Sequence, residues 1–250
     1  MPHFVKHRRR GSKALICEAQ GLALLRDTLQ ASGNQLLQIP EVYAVSEVRM
    51  ELQLIEQAPQ QGALMAQLGQ GLARLHQLPM ERYGLGYDNY IGLAPQANGW
   101  YQDWGRFFVE RRLQRQIAAI EDQAIRRRFD GELQHYQHRL IDFLHQHCTQ
   151  PSLVHGDLWS GNVLFGHDQV WLIDPAVHHA DREVDLAMTE LFGGFSTEFY
   201  QAYDAVFPRS AVYDLKRPLY NLYHYLNHFN LFGPSYLPGC ERGLAALASL

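Results

Sequence analysis

The sequence predicts an α+β protein of two lobes, a small mixed lobe followed by a larger, mainly helical one. Three observations predict it. Strand-like and helical signals alternate as far as Ile55, helical periodicity dominates after Gly62, and a hairpin signal breaks the helices between Leu153 and Asp174. The Phe4-Val5 run is apolar and β-prone. Ser12 can cap a helix from about Ala14 to Ala31, with Leu15, Ala19, Leu22 and Leu25 at helical spacing and Gly33 as the stop. Strand-like runs follow at Glu41–Val45 and Glu51–Ile55, and then Pro59 and Gly62 punctuate the chain. Leu64, Leu68, Leu72 and Leu75 next form one stripe, which sets a boundary near Gln57–Gln61 and lobes at 1–58 and 59–250. Gly84–Gly99 reads as a polar, glycine-containing loop, and Asp103–Ile117 and Gln123–Gln146 read as helices. Val163-Leu164-Phe165 and Val170-Trp171-Leu172-Ile173 then flank the turn Gly166-His167-Asp168 as a hairpin. Helical patterns resume at Arg182–Leu191, Thr197–Val206, Leu219–Phe232 and Leu237–Leu250.

Composition narrows the function. The chain has 250 residues, 46% of them hydrophobic and 19% charged, which supports a sizeable core and excludes a disordered chain. A formal charge of -4 argues against a general nucleic-acid binder. Cys17, Cys148 and Cys240 are too few and too scattered for a disulfide framework or a CxxC metal knuckle. No apolar run is long enough for a membrane helix, and the start MPHFVKHRRRGSK has no apolar stretch after its basic residues. A soluble, reduced, cytoplasmic protein without membrane or nucleic-acid partners is expected, and the oligomeric state is left open.

The segment richest in chemistry is His155-Gly156-Asp157-Leu158-Trp159-Ser160-Gly161-Asn162, followed by the hairpin and by Ile173-Asp174-Pro175. Closing the hairpin brings Asn162 and Asp174 to its two outer ends, about one strand spacing apart. An amide oxygen and a carboxylate facing one space suit Mg²⁺ that also holds phosphates. Asp157, five positions before Asn162, is placed to accept a proton from a hydroxyl attacking a γ-phosphate. The D-x-x-x-x-N spacing with a later metal-binding Asp is the protein-kinase order of base and two Mg²⁺ ligands. Lys6, ending the Phe4-Val5 run, and Glu18, on the next helix, supply the Lys–Glu pair that a kinase-like small lobe needs for ATP. The bland reading of Lys6 is a solvated cation in the basic stretch from Lys6 to Lys13. Glu56-Gln57-Ala58, at the lobe boundary, is positioned to offer backbone groups to an adenine edge.

At this point the chain resembles the fructosamine kinase (ketosamine-3-kinase) family, within the aminoglycoside-phosphotransferase-like kinases. The resemblance rests on HGDLWSGN (His155–Asn162), IDPA (Ile173–Ala176), REVDLAM (Arg182–Met188) and LFGGF (Leu191–Phe195). Upstream lie FVK (Phe4–Lys6), YDNYIG (Tyr87–Gly92) and the Trp100–Leu113 tract containing FFVERRL; downstream lies LYHYLNHFNLFG (Leu222–Gly233). The resemblance implies a two-lobed protein-kinase-like fold and ATP- and Mg²⁺-dependent phosphorylation of the 3-hydroxyl of ketosamines, a step in deglycation repair. It makes Asp157 the proton acceptor, Asn162 and Asp174 the metal ligands, Lys6 the phosphate contact and Glu18 its partner, with Asp185 steadying the catalytic loop. Such kinases place a strand, a glycine-containing loop and another strand before the lysine, whereas Lys6 is the sixth residue here, so a shortened small lobe is expected. The alternative is a catalytically impaired kinase-like protein that binds a sugar amine or a partner.

Weaker candidates complete the reading. Trp159 lies beside the proposed base and is a candidate wall of the sugar pocket. Asp88 and Asn89, with Arg111 and Arg112, are candidate polar walls, against a structural role for each. His224 and His228, four apart on a helix, and His178 and His179 are read as packing and hydrogen-bonding residues. Their rival use is a transition-metal hydrolase centre of His155, Asp157, Asp174, His178 and His179.

Overall fold

The computed structural model describes residues 3–8 and 11–250. Arg9 and Arg10, within the basic stretch, lie outside the described residues. Strand β1 (His3–His7) is an edge of a three-stranded antiparallel sheet ordered β1-β4-β3, where β3 is Val42–Val45 and β4 is Arg49–Gln53. Helix α1 (Ala14–Ala31) starts where the Ser12 hydroxyl accepts from the Ala14 N–H. Its inner face carries Leu15, Leu22 and Leu25, all fully buried. Glu18 shares that face because residues three and four apart stack along a helix. A two-residue strand β2 (Leu37–Gln38), absent from the sequence reading, pairs parallel with the later hairpin.

Helix α2 (Gly62–His76) buries the expected stripe of Leu64, Leu68, Leu72 and Leu75. Each such leucine contributes about 1.5–3 kcal/mol relative to an exposed one. Gly69 lets α2 approach the backbone of α7 (Thr197–Val206): a Cβ there would collide with the Phe199 carbonyl. One apolar cluster joins the α1 leucines, Met50 and Leu52 to the α2 stripe and to Leu153, Leu158, Val163 and Leu172. The interior is therefore continuous across Gln57–Gln61.

The stretch Gly84–Gly99 corrects the sequence reading. It is built of short strands: β5 (Tyr83–Leu85), β6 (Asn89–Ile91), β7 (Ala94–Gln96) and β8 (Gly99–Tyr101). Three-residue strands give no readable alternation. Their glycines and side-chain amides look like loop, although Asn89, Gln96 and Asn98 are buried and bonded to one another. The expected Asp103–Ile117 helix is α3 (Trp104–Phe107), capped by Asp103, a wide π turn over Phe108–Leu113, and α4 (Gln114–Ala118). Asp122 caps α5 (Gln123–His147) by accepting from the Ala124 and Ile125 N–H groups. Strand β9 (Ser152–Val154) then leads into the HGD motif and pairs with β12 (His178–Ala180). The expected hairpin forms from β10 (Val163–Phe165) and β11 (Val170–Leu172).

Helices α6 (Glu183–Leu191), α7, α8 (Tyr213–Phe232) and α9 (Leu237–Ala245) close the larger part. Helix α8 starts six residues before the expected Leu219, because Pro218 sits inside it instead of marking its start. Beneath it lies a buried ion cluster in which the Lys216 ammonium meets Asp181 at 2.7 Å and Glu183 at 2.9 Å. No helix of the described residues is long and apolar enough to cross a membrane.

Candidate active site

The site begins at the top of β9. The Asp185 carboxylate, on α6, accepts from the His155 N–H at 2.7 Å and the Gly156 N–H at 2.8 Å. Burial alone would raise the Asp185 carboxyl, but hydrogen bonds and the neighbouring imidazoles His76 and His155 hold it below the ordinary range. The His155 ring completes the turn, with Nε2 donating to the Ile173 carbonyl at 2.9 Å and Nδ1 accepting from the Asp157 N–H at 3.3 Å. Burial keeps that imidazole neutral. Gly156 adopts φ 81, and a Cβ there would strike the Ala176 carbonyl, so the loop can pass under the hairpin only at a glycine.

Asp157 follows, half-buried at the floor of the cleft. Burial pushes its carboxyl up to about 7, against the hydrogen bond from Asn162, while the charges of Asp174 and Asp185 add to the rise. A carboxylate poised there can take a proton near neutral pH. Asn162 ends a 3₁₀ turn (Ser160–Asn162) and donates through Nδ2 to the Asp157 carbonyl at 2.8 Å and carboxylate at 3.2 Å. That engagement leaves the Asn162 Oδ1 as its acceptor atom.

The hairpin does what its spacing requires. The Ile173 N–H donates to the Asn162 carbonyl at 3.1 Å, which brings Asp174 beside Asn162. Asp174 takes φ 53, a left-handed conformation that aspartate tolerates better than most residues. The Lys6 ammonium is ion-paired with Asp174 and lies 2.7 Å from Glu18. Burial and the Asp174 charge raise the Glu18 carboxyl to about 7, with Lys6 opposing them. Asn162, Asp174 and Glu18 line one cavity of about 200 Å³. The donor set, an amide oxygen and a carboxylate that already holds a cation, fits Mg²⁺.

A second cavity of about 410 Å³ shares the Asp157 and Trp159 wall with the first. Its other sides carry Ile91, Phe192, Asn227 and Phe232, which the sequence reading held only as parts of its motifs, and His228, which it read as a packing residue. Trp159 is 40% exposed and stands where the two cavities meet. Asp88 and Asn89 are placed elsewhere. Asp88 accepts from the Asn98 N–H at 2.7 Å, and the buried Asn89 donates to the Val177 carbonyl at 2.9 Å. Both fasten the β6–β7 hairpin, whose Ile91 and Gly92 reach the cavity in their stead. Arg112 is buried and donates to the Ala97 carbonyl at 2.6 Å and to Asn98 at 2.9 Å, while Arg111 donates to the Tyr101 hydroxyl.

In the Glu56-Gln57-Ala58 linker, the Ala58 N–H already donates to the Phe165 carbonyl at 2.7 Å. The histidines are dispersed: His178 stacks on Phe107 and Trp104, His179 meets the Arg82 carbonyl, and His228 meets the His224 carbonyl. Among the described residues no group of three or more His, Cys, Asp or Glu is placed to hold a metal, which removes the support for the hydrolase centre.

The fold is that of kinase-like phosphotransferases. Aminoglycoside phosphotransferase APH(2'')-Ib, solved with ADP bound, superposes with a TM-score of 0.61 at 16% identity, over 98% of this chain and 86% of that one. A putative fructosamine-3-kinase from Haemophilus somnus superposes far better, with a TM-score of 0.85 at 27% identity over 98% of this chain and 83% of that one. A probable ketoamine kinase of Vibrio parahaemolyticus is 38% identical over 226 residues, covering 88% of this chain and 75% of that protein. The family model described as fructosamine kinase matches residues 1–249. The chain belongs to the fructosamine kinase family.

Proposed function

We propose that the chain transfers the γ-phosphoryl group of ATP to the 3-hydroxyl of ketosamines, the sugar adducts left on amines by glycation. The observation that carries this reading is the position of Asp157, on the wall shared by a cavity with oxygen ligands and a cavity with an aromatic wall. Asp157 orients the sugar hydroxyl and accepts its proton as the oxygen attacks in line. Asn162 and Asp174 hold Mg²⁺, which when bound offsets phosphate charge and orients the transferred group. The Lys6 ammonium, held by Glu18, supplies the positive charge for the ATP phosphates. Of the Glu56–Ala58 linker, the Glu56 and Gln57 backbone groups serve the adenine edge, since the Ala58 N–H is held by the Phe165 carbonyl. Trp159 bounds the acceptor. Phosphorylation destabilises the adduct and favours its release, so the cellular role is deglycation repair in the cytoplasm, with a small or protein-bound ketosamine as the partner.

The test is the position of the phosphate. Incubation with Mg-ATP and ribuloselysine or fructoselysine should give one new phosphomonoester ³¹P resonance coupled to the C3 proton. Coupling to a terminal CH₂ instead, or no new phosphomonoester, would overturn the assignment.

A further inference from the structure

Helix α2 ends in His76, a fully buried residue far in sequence from the catalytic loop yet tied to it twice. Its carbonyl accepts from the Ser152 hydroxyl at 2.6 Å, at the foot of β9. Its ring Nε2 lies 3.3 Å from the Asp185 carboxylate, which holds the His155 and Gly156 N–H groups at the top of the same strand. The ring Nδ1 lies 2.9 Å from the Tyr203 hydroxyl, and that hydroxyl accepts from Arg182 Nη1 at 2.9 Å. Burial keeps the imidazole neutral, so it carries one N–H. Only one tautomer satisfies both neighbours, because the ionised Asp185 has no proton to give. Arg182 donates to Tyr203, Tyr203 to His76 Nδ1, and His76 Nε2–H to Asp185.

We propose that His76, fixed by Tyr203 and Arg182, is a positioning residue for the catalytic base, acting through Asp185. This inference rests on the phosphoryl-transfer reading for its kinetic consequence. His76 bonds the same Asp185 oxygen, Oδ2, that accepts from the His155 N–H; without that third donor the buried carboxylate takes up a proton or rotates, and either change weakens its hold on an N–H. Gly156 stays at φ 81 under the Ala176 carbonyl only while both N–H groups are held, and Asp157 is the next residue. A shift of the base by about 1 Å costs on the order of 100-fold in rate.

Glutamine and asparagine separate this role from packing. The Gln amide nitrogen reaches the place of Nε2, whereas that of Asn stops near Nδ1. His76→Gln should keep kcat within about threefold of the wild type, while His76→Asn and His76→Phe lose about 30- to 100-fold in kcat with KM for ATP nearly unchanged. Hydrogen exchange at the His155 and Gly156 amides should accelerate about tenfold in the Asn and Phe variants and recover in the Gln variant. Equal losses in the Gln and Phe variants, or wild-type kcat and exchange in the Phe variant, would overturn the proposal. Should His76→Phe fail to fold, Tyr203→Phe removes the hydroxyl that holds the ring at Nδ1, so the ring loosens against Asp185 and exchange at the same two amides should accelerate; unchanged exchange there refutes it. A wild-type chain that phosphorylates no ketosamine would defeat the functional reading, and the exchange pattern alone would then decide the relay.

Discussion

Replacing Asp157 with Asn should remove most turnover and at the same time stabilise the fold at alkaline pH. Burial and the nearby carboxylates raise the Asp157 carboxyl from its ordinary 3.8 to about 7. A carboxyl raised by folding adds no penalty below about pH 4, where it is protonated in both states. The penalty grows as pH climbs and is complete once the folded group ionises, above about 7. At about 1.4 kcal/mol for each tenfold change in acidity, the full rise caps the penalty at roughly 4 kcal/mol. The side chain is half-buried at an open cleft, so water screens it, and about 1–2 kcal/mol is the realistic share. Asparagine keeps the shape and can still accept from Asn162 Nδ2. For a domain of this size that share corresponds to a Tm gain of about 3–6 °C. Thermal melts of wild type and Asp157→Asn at pH 5 and pH 8 would show it: the gap should open on going to pH 8. A variant that melts lower at pH 8, or a gap independent of pH, would refute the electrostatic account of the base.

Other predictions follow from the same geometry. Because Asp157 must be ionised to accept a proton, kcat/KM should fall on the acid side, with a midpoint at or below about 7 since bound Mg²⁺ favours the anion; a profile flat from pH 8 to pH 5 contradicts this. Asp185→Ala strips two backbone N–H groups and His76 of their acceptor and should cost roughly 3–5 kcal/mol, read as a lower urea midpoint at pH 7. Asp185 is held below 3.8, so the wild type has its contribution above about pH 4 and loses it as pH falls through the folded value; the Ala variant should lack that acid limb. Gly156→Ala meets both the left-handed backbone and the Ala176 carbonyl, and a loss of about 2–4 kcal/mol in denaturant melts is expected, with turnover falling too.

Much of the centre was legible because it is local. His155 to Asp174 spans one loop and one hairpin, and hairpin closure by itself brings Asn162 beside Asp174. Lys6 and Glu18 were legible for a related reason, since a strand followed at once by a helix leaves few ways to face each other. The acceptor cavity was not. Ile91, Phe192 and the α8 pair Asn227 and Phe232 come from three separate segments, and an apolar side chain such as Ile91 or Phe192 carries no mark of whether it will line a cavity or fill a core. For Asp88 and Asn89 the structural role weighed in the sequence is the one seen: their side chains hold together strands too short to show a period. His76 and Tyr203 were hidden by distance, 127 residues apart in sequence and joined only when α2 packs along α7.

The central claim is that Asp157 activates a ketosamine hydroxyl toward Mg-ATP. Its most direct test is the initial rate of ADP release by wild type and Asp157→Asn, with and without ribuloselysine. Wild type should release ADP only when the ketosamine is present, and the variant should be slower by on the order of 1,000-fold while binding both ligands. Equal ketosamine-dependent rates in the two proteins would contradict the claim.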